Sequence, residues 1–173
     1  MGRKIVVTSG KGGVGKTTLT ASLGIAIAET GKKVVLVDAD IGLNNLDVVL
    51  AVENKVVYDV LDVISGKCRL KQALIQDVDN PTLYVLPSAK IQDSPLITAC
   101  SFRNVVDALA LNFDFVIIDC PAGIDNGFHR AVSAATEAIV VTTPHISAVR
   151  DADKVLSILS GYCLMSVGLV VNR

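Results

Sequence analysis

A chain of 173 residues with 51% apolar and 19% charged residues has room for one domain with a sizeable core and is too apolar for a disordered segment. Its formal net charge of −1 argues against a general attraction to nucleic acid or anionic lipid, while leaving room for a local basic patch. The apolar runs, such as Val34-Val35-Leu36-Val37 and Ala138-Ile139-Val140-Val141, stop far short of the roughly 18 residues of a membrane span and instead suit strands buried on both faces of a parallel sheet.

Met1-Gly2-Arg3-Lys4 runs straight into a strand, which leaves no room for a secretory signal, and Val6 breaks the N-myristoylation pattern, so a cytoplasmic location is expected. The β-branched run Ile5 to Thr8 is the first expected strand, and Thr17 to Glu29 is a helix closed by Gly31. Val34 to Val37 is a second strand ending in Asp38. Val56 to Ile64 and Leu70 to Leu74 read as helical. Strands follow at Leu83 to Leu86, Phe115 to Ile118, Ala138 to Val141 and Leu169 to Val171, with helices at Phe102 to Leu111 and Ser147 to Leu159. This alternation implies an α/β fold with a mostly parallel central sheet and helices on both faces, organised as a single domain over residues 1–173. The last strand reads as buried yet ends at Asn172-Arg173 with no helix after it, so the expectation is of an N-terminal portion of a longer chain. Cys68, Cys100, Cys120 and Cys163 lack any metal-site spacing and read as free thiols.

One motif carries chemistry plainly. Gly10, Gly15, Lys16 and Thr17 satisfy Gly-x-x-x-x-Gly-Lys-Thr between a strand and a helix, the context in which that pattern cradles phosphate. Backbone N–H groups of Gly10 to Thr18 turn inward, including those of Gly12, Gly13 and Val14, and the helix adds its positive end. Lys16 is expected to reach the β- and γ-phosphates of ATP, and the Thr17 hydroxyl to ligate Mg²⁺. Asp38 and Asp40 end the second strand, at the sheet edge where ligands bind in open α/β folds. Asp119 ends the strand from Phe115 and is expected to hold the metal directly or through water.

Lys11 is a second lysine inside the variable part of the loop. Lys11-Gly12-Gly13-Val14-Gly15-Lys16-Thr17-Thr18 resembles the deviant Walker loop of the MinD/ParA family of P-loop ATPases. The resemblance implies a three-layer P-loop NTPase fold and an ATP-dependent homodimer in which Lys11 touches the partner's phosphates. It assigns the orienting of the attacking water to Asp40, a share in organising Mg²⁺ to Asp38 and sensing of the γ-phosphate to the Gly123 N–H. Asn172 reads equally as an adenine contact or a strand-terminal turn. The segments Val57-Tyr58-Asp59-Val60, Cys68 to Ile75, Asp119 to Ile124 and Ser147 to Asp153 look like the division-regulating branch. That branch implies recruitment of the division inhibitor MinC, an activator such as MinE, and peripheral attachment to the inner membrane through a C-terminal amphipathic helix absent from this sequence. It also points to Asn44, Asp47, Glu53, Asp151 and Asp153 as partner-contacting residues. The nearest rival is a ParA-type or flagellar-number ATPase on the same fold. A cluster-carrying relative would have only Cys120 suitably located, and a nucleotide-binding module without turnover is the third reading.

Overall fold

The computed structural model describes residues 1–42, 45–90 and 94–173. Its seven strands are β1 (Arg3–Thr8), β2 (Val34–Asp38), β3 (Ile75–Gln76), β4 (Leu83–Leu86), β5 (Phe115–Asp119), β6 (Glu137–Thr142) and β7 (Ser166–Val171). They form one sheet in the order β3-β4-β2-β5-β1-β6-β7, parallel throughout except for the short β3, which runs antiparallel to β4. The described helices are α1 (Lys16–Glu29), α2 (Asn45–Val49), α3 (Val60–Ile64), α4 (Leu70–Ala73), α5 (Ala99–Ala110), α6 (Asn126–Ala134) and α7 (Ile146–Leu159).

Side chains alternate across each strand and so divide the core in two. Val6, Val35, Val37, Val116 and Ile118 face α5, α6 and α7, whose Phe102, Phe128 and Val155 are wholly buried. Val7, Val34, Leu36 and Ile117 face α1 and α2. Each fully buried aliphatic or aromatic side chain contributes about 1.5–3 kcal/mol relative to exposure, and it is this two-sided burial that makes the strands read as unbroken apolar runs.

The structure shifts several expected boundaries. Residues 56–64 are not one helix. Glu53–Lys55 form a 3-10 turn, Val56 is extended, and α3 starts only at Val60, because Asp59 caps it by accepting from the Leu61 and Asp62 N–H groups at 2.8 and 3.1 Å. Thr98 starts α5 earlier than expected through a reciprocal cap with Ser101. The helix α6 has no counterpart in the sequence reading; Gly127 and four polar residues hide a face on which Phe128, Ala131 and Val132 are buried. The strand β7 was expected to be buried, but its residues are mostly exposed, with Leu169 and Val171 each at 54%. It is paired on one side only, by β6, and no described helix covers it. Among the described residues no helix is long and apolar enough to cross a membrane.

Candidate functional site

In an open parallel sheet the crevice lies beyond the carboxyl ends of the strands, where neighbouring connections leave in opposite directions. Here that point is the end of central β1, flanked by β5 and β6, and the glycine loop 9–15 leaves from it into α1. The loop's shape is set by contacts from far along the chain. A Cβ on Gly10 would stand 2.4 Å from the Asp151 carbonyl oxygen and 2.7 Å from its Cβ, so only glycine lets the loop lie this close to α7. Gly15 has φ +94, and a Cβ there would meet the Asn172 amide nitrogen at 2.5 Å. That amide donates to the Val14 carbonyl at 3.0 Å. Ser9 Oγ donates to the Lys11 carbonyl at 2.7 Å, closing the loop locally.

The loop and the following helix border a cleft of about 600 Å³ lined by Gly12, Gly13, Gly15, Lys16, Thr17 and Thr18, with Asp40, Asn45 and Cys120 among the residues opposite. A Cβ on Gly13 would meet nothing within 4 Å, so this stretch of backbone faces open space. Lys16 is 9% exposed, and among the described residues no salt bridge neutralises it. A nearly buried ammonium in no close ion pair is costly, and an anionic ligand would offset that cost. Lys11 is exposed and likewise in no described ion pair. Thr18 is exposed on the cleft wall, whereas Val14 is buried in the core beneath it and Gly10 does not line the cleft.

Three carboxylates gather behind this lysine. Asp38 and Asp119 are register neighbours at the ends of β2 and β5, at 0% and 2% exposure. Burial pushes Asp38 up to about 7, against hydrogen bonds from the Asp40 and Leu46 N–H groups at 2.9 and 3.1 Å, with Asp119 and Asp40 adding repulsion. Burial also raises Asp119, opposed by the Thr17 hydroxyl, Lys16 and the Thr20 hydroxyl, the last donating at 3.3 Å. Asp40 is half-buried and raised by that burial while Lys16 pulls it down; the Asn45 amide donates to it at 3.4 Å. Carboxylates driven toward their neutral form are held ready for a cation, since binding one restores the charge that burial disfavours. Among the described residues no three His, Cys, Asp or Glu side chains lie close enough to hold a metal alone. A hard cation here would therefore also draw on the Thr17 hydroxyl and on oxygens of a ligand.

Other expected residues sit further off. Gly123, with φ +92, donates its N–H to the Ser9 carbonyl at 3.4 Å. Asn172 Nδ2 is already committed to the loop, beside a smaller cavity of about 190 Å³ formed with Leu19, Val141 and Val170. Asp47 is not a surface group: it is buried, and its carboxylate accepts from the Val48 N–H at 2.8 Å. Glu53 and Asp153 are exposed, Asp151 is half-buried, and Asn44 lies outside the described residues. The sequence reading missed Thr20, Asn45, Val48 and Val49. Thr20 was legible in principle, three residues after Thr17 on the same helical face; the lining from α2 depends on a one-and-a-half-turn helix without its own periodic signal.

The family profile described as an AAA domain matches residues 2–161. The septum site-determining protein MinD of Bacillus subtilis is 54% identical over 175 residues, covering all of this chain and 65% of its own length. The protein of the same description from Synechocystis is 52% identical over 173 residues, again covering all of this chain and 65% of its own. The chain thus spans a little under two thirds of the length of these curated relatives. Among solved structures, the MinC:MinD cell division protein complex of Aquifex aeolicus superposes with a TM-score of 0.88 at 44% identity, over 99% of this chain and 68% of that one. The septum site-determining protein MinD of Pyrococcus horikoshii, complexed with Mg-ADP, gives 0.89 at 38% identity, over 100% and 71%.

Proposed function

The chain belongs to the AAA-domain family, in its septum site-determining MinD branch, and from that membership we propose that it is an ATP-hydrolysing, dimerising switch that positions the bacterial division site. The observation that carries this reading is Lys16, nearly buried and in no salt bridge among the described residues, between an open glycine backbone and three carboxylates that burial pushes toward their neutral form. Such a constellation fits a triphosphate with its cation, and the Mg-ADP complex of the Pyrococcus relative supports the same ligand class.

Within this reading, residues 1–173 act as one ATPase domain. Backbone N–H groups from Gly10 to Thr18, those of Gly12, Gly13, Val14 and Gly15 among them, bind phosphate oxygens, and Lys16 neutralises the β- and γ-phosphates. Thr17 and Asp119, with Asp38 behind them, would hold Mg²⁺, which when bound withdraws charge from the phosphate oxygens. Asp40 orients the attacking water, its remaining negative charge favoured by Lys16. The Gly123 N–H, whose bond to Ser9 is long, is free to turn toward a terminal phosphate. Lys11 reaches the phosphates of a second copy, as an arginine finger would, so that bound ATP becomes part of the dimer interface. The Oδ1 of Asn172 is the atom left for an adenine amino group. The MinC:MinD complex of the Aquifex relative supports the division inhibitor MinC as the partner of the ATP-bound dimer; in this reading the recruitment takes place at the inner membrane, and an activator such as MinE ends the cycle. The protein then alternates between the cytoplasm and a peripheral membrane site.

The test is ATP hydrolysis measured per molecule across a dilution series with Mg²⁺, alongside size-exclusion chromatography in ATP and in ADP. The specific rate should rise with concentration as an ATP-dependent dimer forms, and Lys16→Ala should lose nucleotide binding. A specific rate constant at every dilution, from a protein that stays monomeric, would remove the switch.

A further inference from the structure

We propose that a cleft at the opposite pole of the sheet binds a small, free anion with an apolar body. The cleft, of about 550 Å³, lies between α4, the start of β4 and the end of α5. The parallel strands begin here and end at the nucleotide-type cleft, so a five-residue strand separates the two sites by roughly 17 Å. Nothing in the proposed ATP cycle uses it.

Its floor is apolar: Leu74, Tyr84 and Phe113 are half-buried, with Leu109 beneath them at 1% exposure. Tyr84 and Phe113 meet edge to face with ring centroids 5.3 Å apart, which fixes the floor's shape. Its charged lining is of one sign. Lys33, Arg69 and Lys71 all line the cleft, all are exposed, and among the described residues no carboxylate lines it. Among the described residues none of the three is in a salt bridge, whereas the nearby Arg3 and Lys4 are matched with Glu137 and Asp107 at 2.6 Å each.

The dipole of α5 does not cancel this field. Its last carbonyls are already satisfied: Ala110 accepts from the Gly2 N–H at 2.7 Å, and Leu109 from the Asn112 and Phe113 N–H groups at 2.9 and 3.1 Å. Asp114, the nearest acid along the chain, accepts from the Lys33 backbone N–H at 2.9 Å. An apolar cavity of this size with a few convergent polar groups is the usual form of a small-ligand site. Here the apolar floor selects the body and the three cations select the charge. The concave shape favours a monomeric ligand over a flat surface.

The probe is decanoate below its micelle-forming concentration, followed in amide nitrogen–proton correlation spectra of the isotope-labelled chain. Saturable shifts should be confined to Lys33 and its neighbours and to residues 69–74, 83–85 and 108–113, and decyltrimethylammonium should not produce them. The double variant Arg69→Glu with Lys71→Glu, both at exposed positions, should keep the folded spectrum and weaken decanoate by on the order of tenfold. Equal shifts with the cationic amphiphile, shifts centred on β7 or the glycine loop, or affinity unchanged in the double variant would each overturn the proposal. An absence of saturable shifts would do the same.

Discussion

Two glycines of one loop should respond very differently to the same methyl group. A Cβ on Gly10 would lie 2.4 Å from the Asp151 carbonyl oxygen and 2.6 Å from its carbonyl carbon, and contacts under 3.0 Å are essentially never seen. Backbone must therefore move by at least 0.6 Å, the difference between 3.0 and 2.4 Å. Both sides resist: β1 is central in the sheet, and α7 is anchored by the buried Val155 and Leu159. Forced overpacking of this kind costs about 1–3 kcal/mol, which for a domain of this size lowers Tm by roughly 4–8 °C at the middle of that range. On Gly12 the nearest atom would be the Ala122 Cβ at 3.9 Å, an ordinary contact, and its φ is not in the left-handed region. Calorimetric melting without nucleotide should therefore show Gly10→Ala several degrees below wild type and Gly12→Ala within about a degree of it. Shifting the loop by even part of an ångström should also weaken Mg·ADP binding in Gly10→Ala, read by titration calorimetry. If Gly10→Ala melted with the wild type, the contact with α7 would not be what reserves that position for glycine.

Lys11→Ala should bind nucleotide as wild type does, because the side chain is exposed and outside any described ion pair, and should fail to dimerise in ATP by light scattering. The two Arg3 hydrogen bonds, at 2.8 and 2.6 Å, hold the Glu137 carboxyl below its usual range, with Ser166 adding a third at 3.1 Å. A depressed carboxylate contributes stability above its unfolded value near pH 4.3 and loses it as pH falls through the folded one. Glu137→Gln should thus cost about 1 kcal/mol at pH 7 in urea unfolding, since Arg3 is 56% exposed, and the gap to wild type should close toward pH 3. Thiol titration with a chromogenic disulfide should show Cys100 and Cys163 reacting first, because they are exposed, and Cys120 last, because burial pushes its thiol up to about 12. A fast Cys120 would mean that the core opens beside the cleft.

Most of the architecture was legible because strands buried on both faces announce themselves as runs of Val, Ile and Leu; Leu83–Leu86 stands as read. The loop was legible for a different reason: backbone that wraps phosphate demands glycine at fixed spacing. What escaped were elements made by context. The buried face of α6 is limited to Phe128, Ala131, Val132 and Ala134, and α2 is too short for a period to develop. Asp59 showed that one capping carboxylate decides a helix start that a β-branched run obscures. The pairing of Asp38 with Asp119 arises from strand register and is invisible along the chain.

The phosphate-type loop occupies residues 10–18, yet its outer walls are Asp151 and Asn172, some 140 and 158 positions later. A growing polypeptide therefore makes the cradle long before the parts that give it shape. Closing so long a span is slow, and domains complete themselves as units. A half-synthesised chain would expose the glycines and Lys16 without the frame that holds them, so competence to take up a ligand should arrive abruptly, once β7 is laid beside β6.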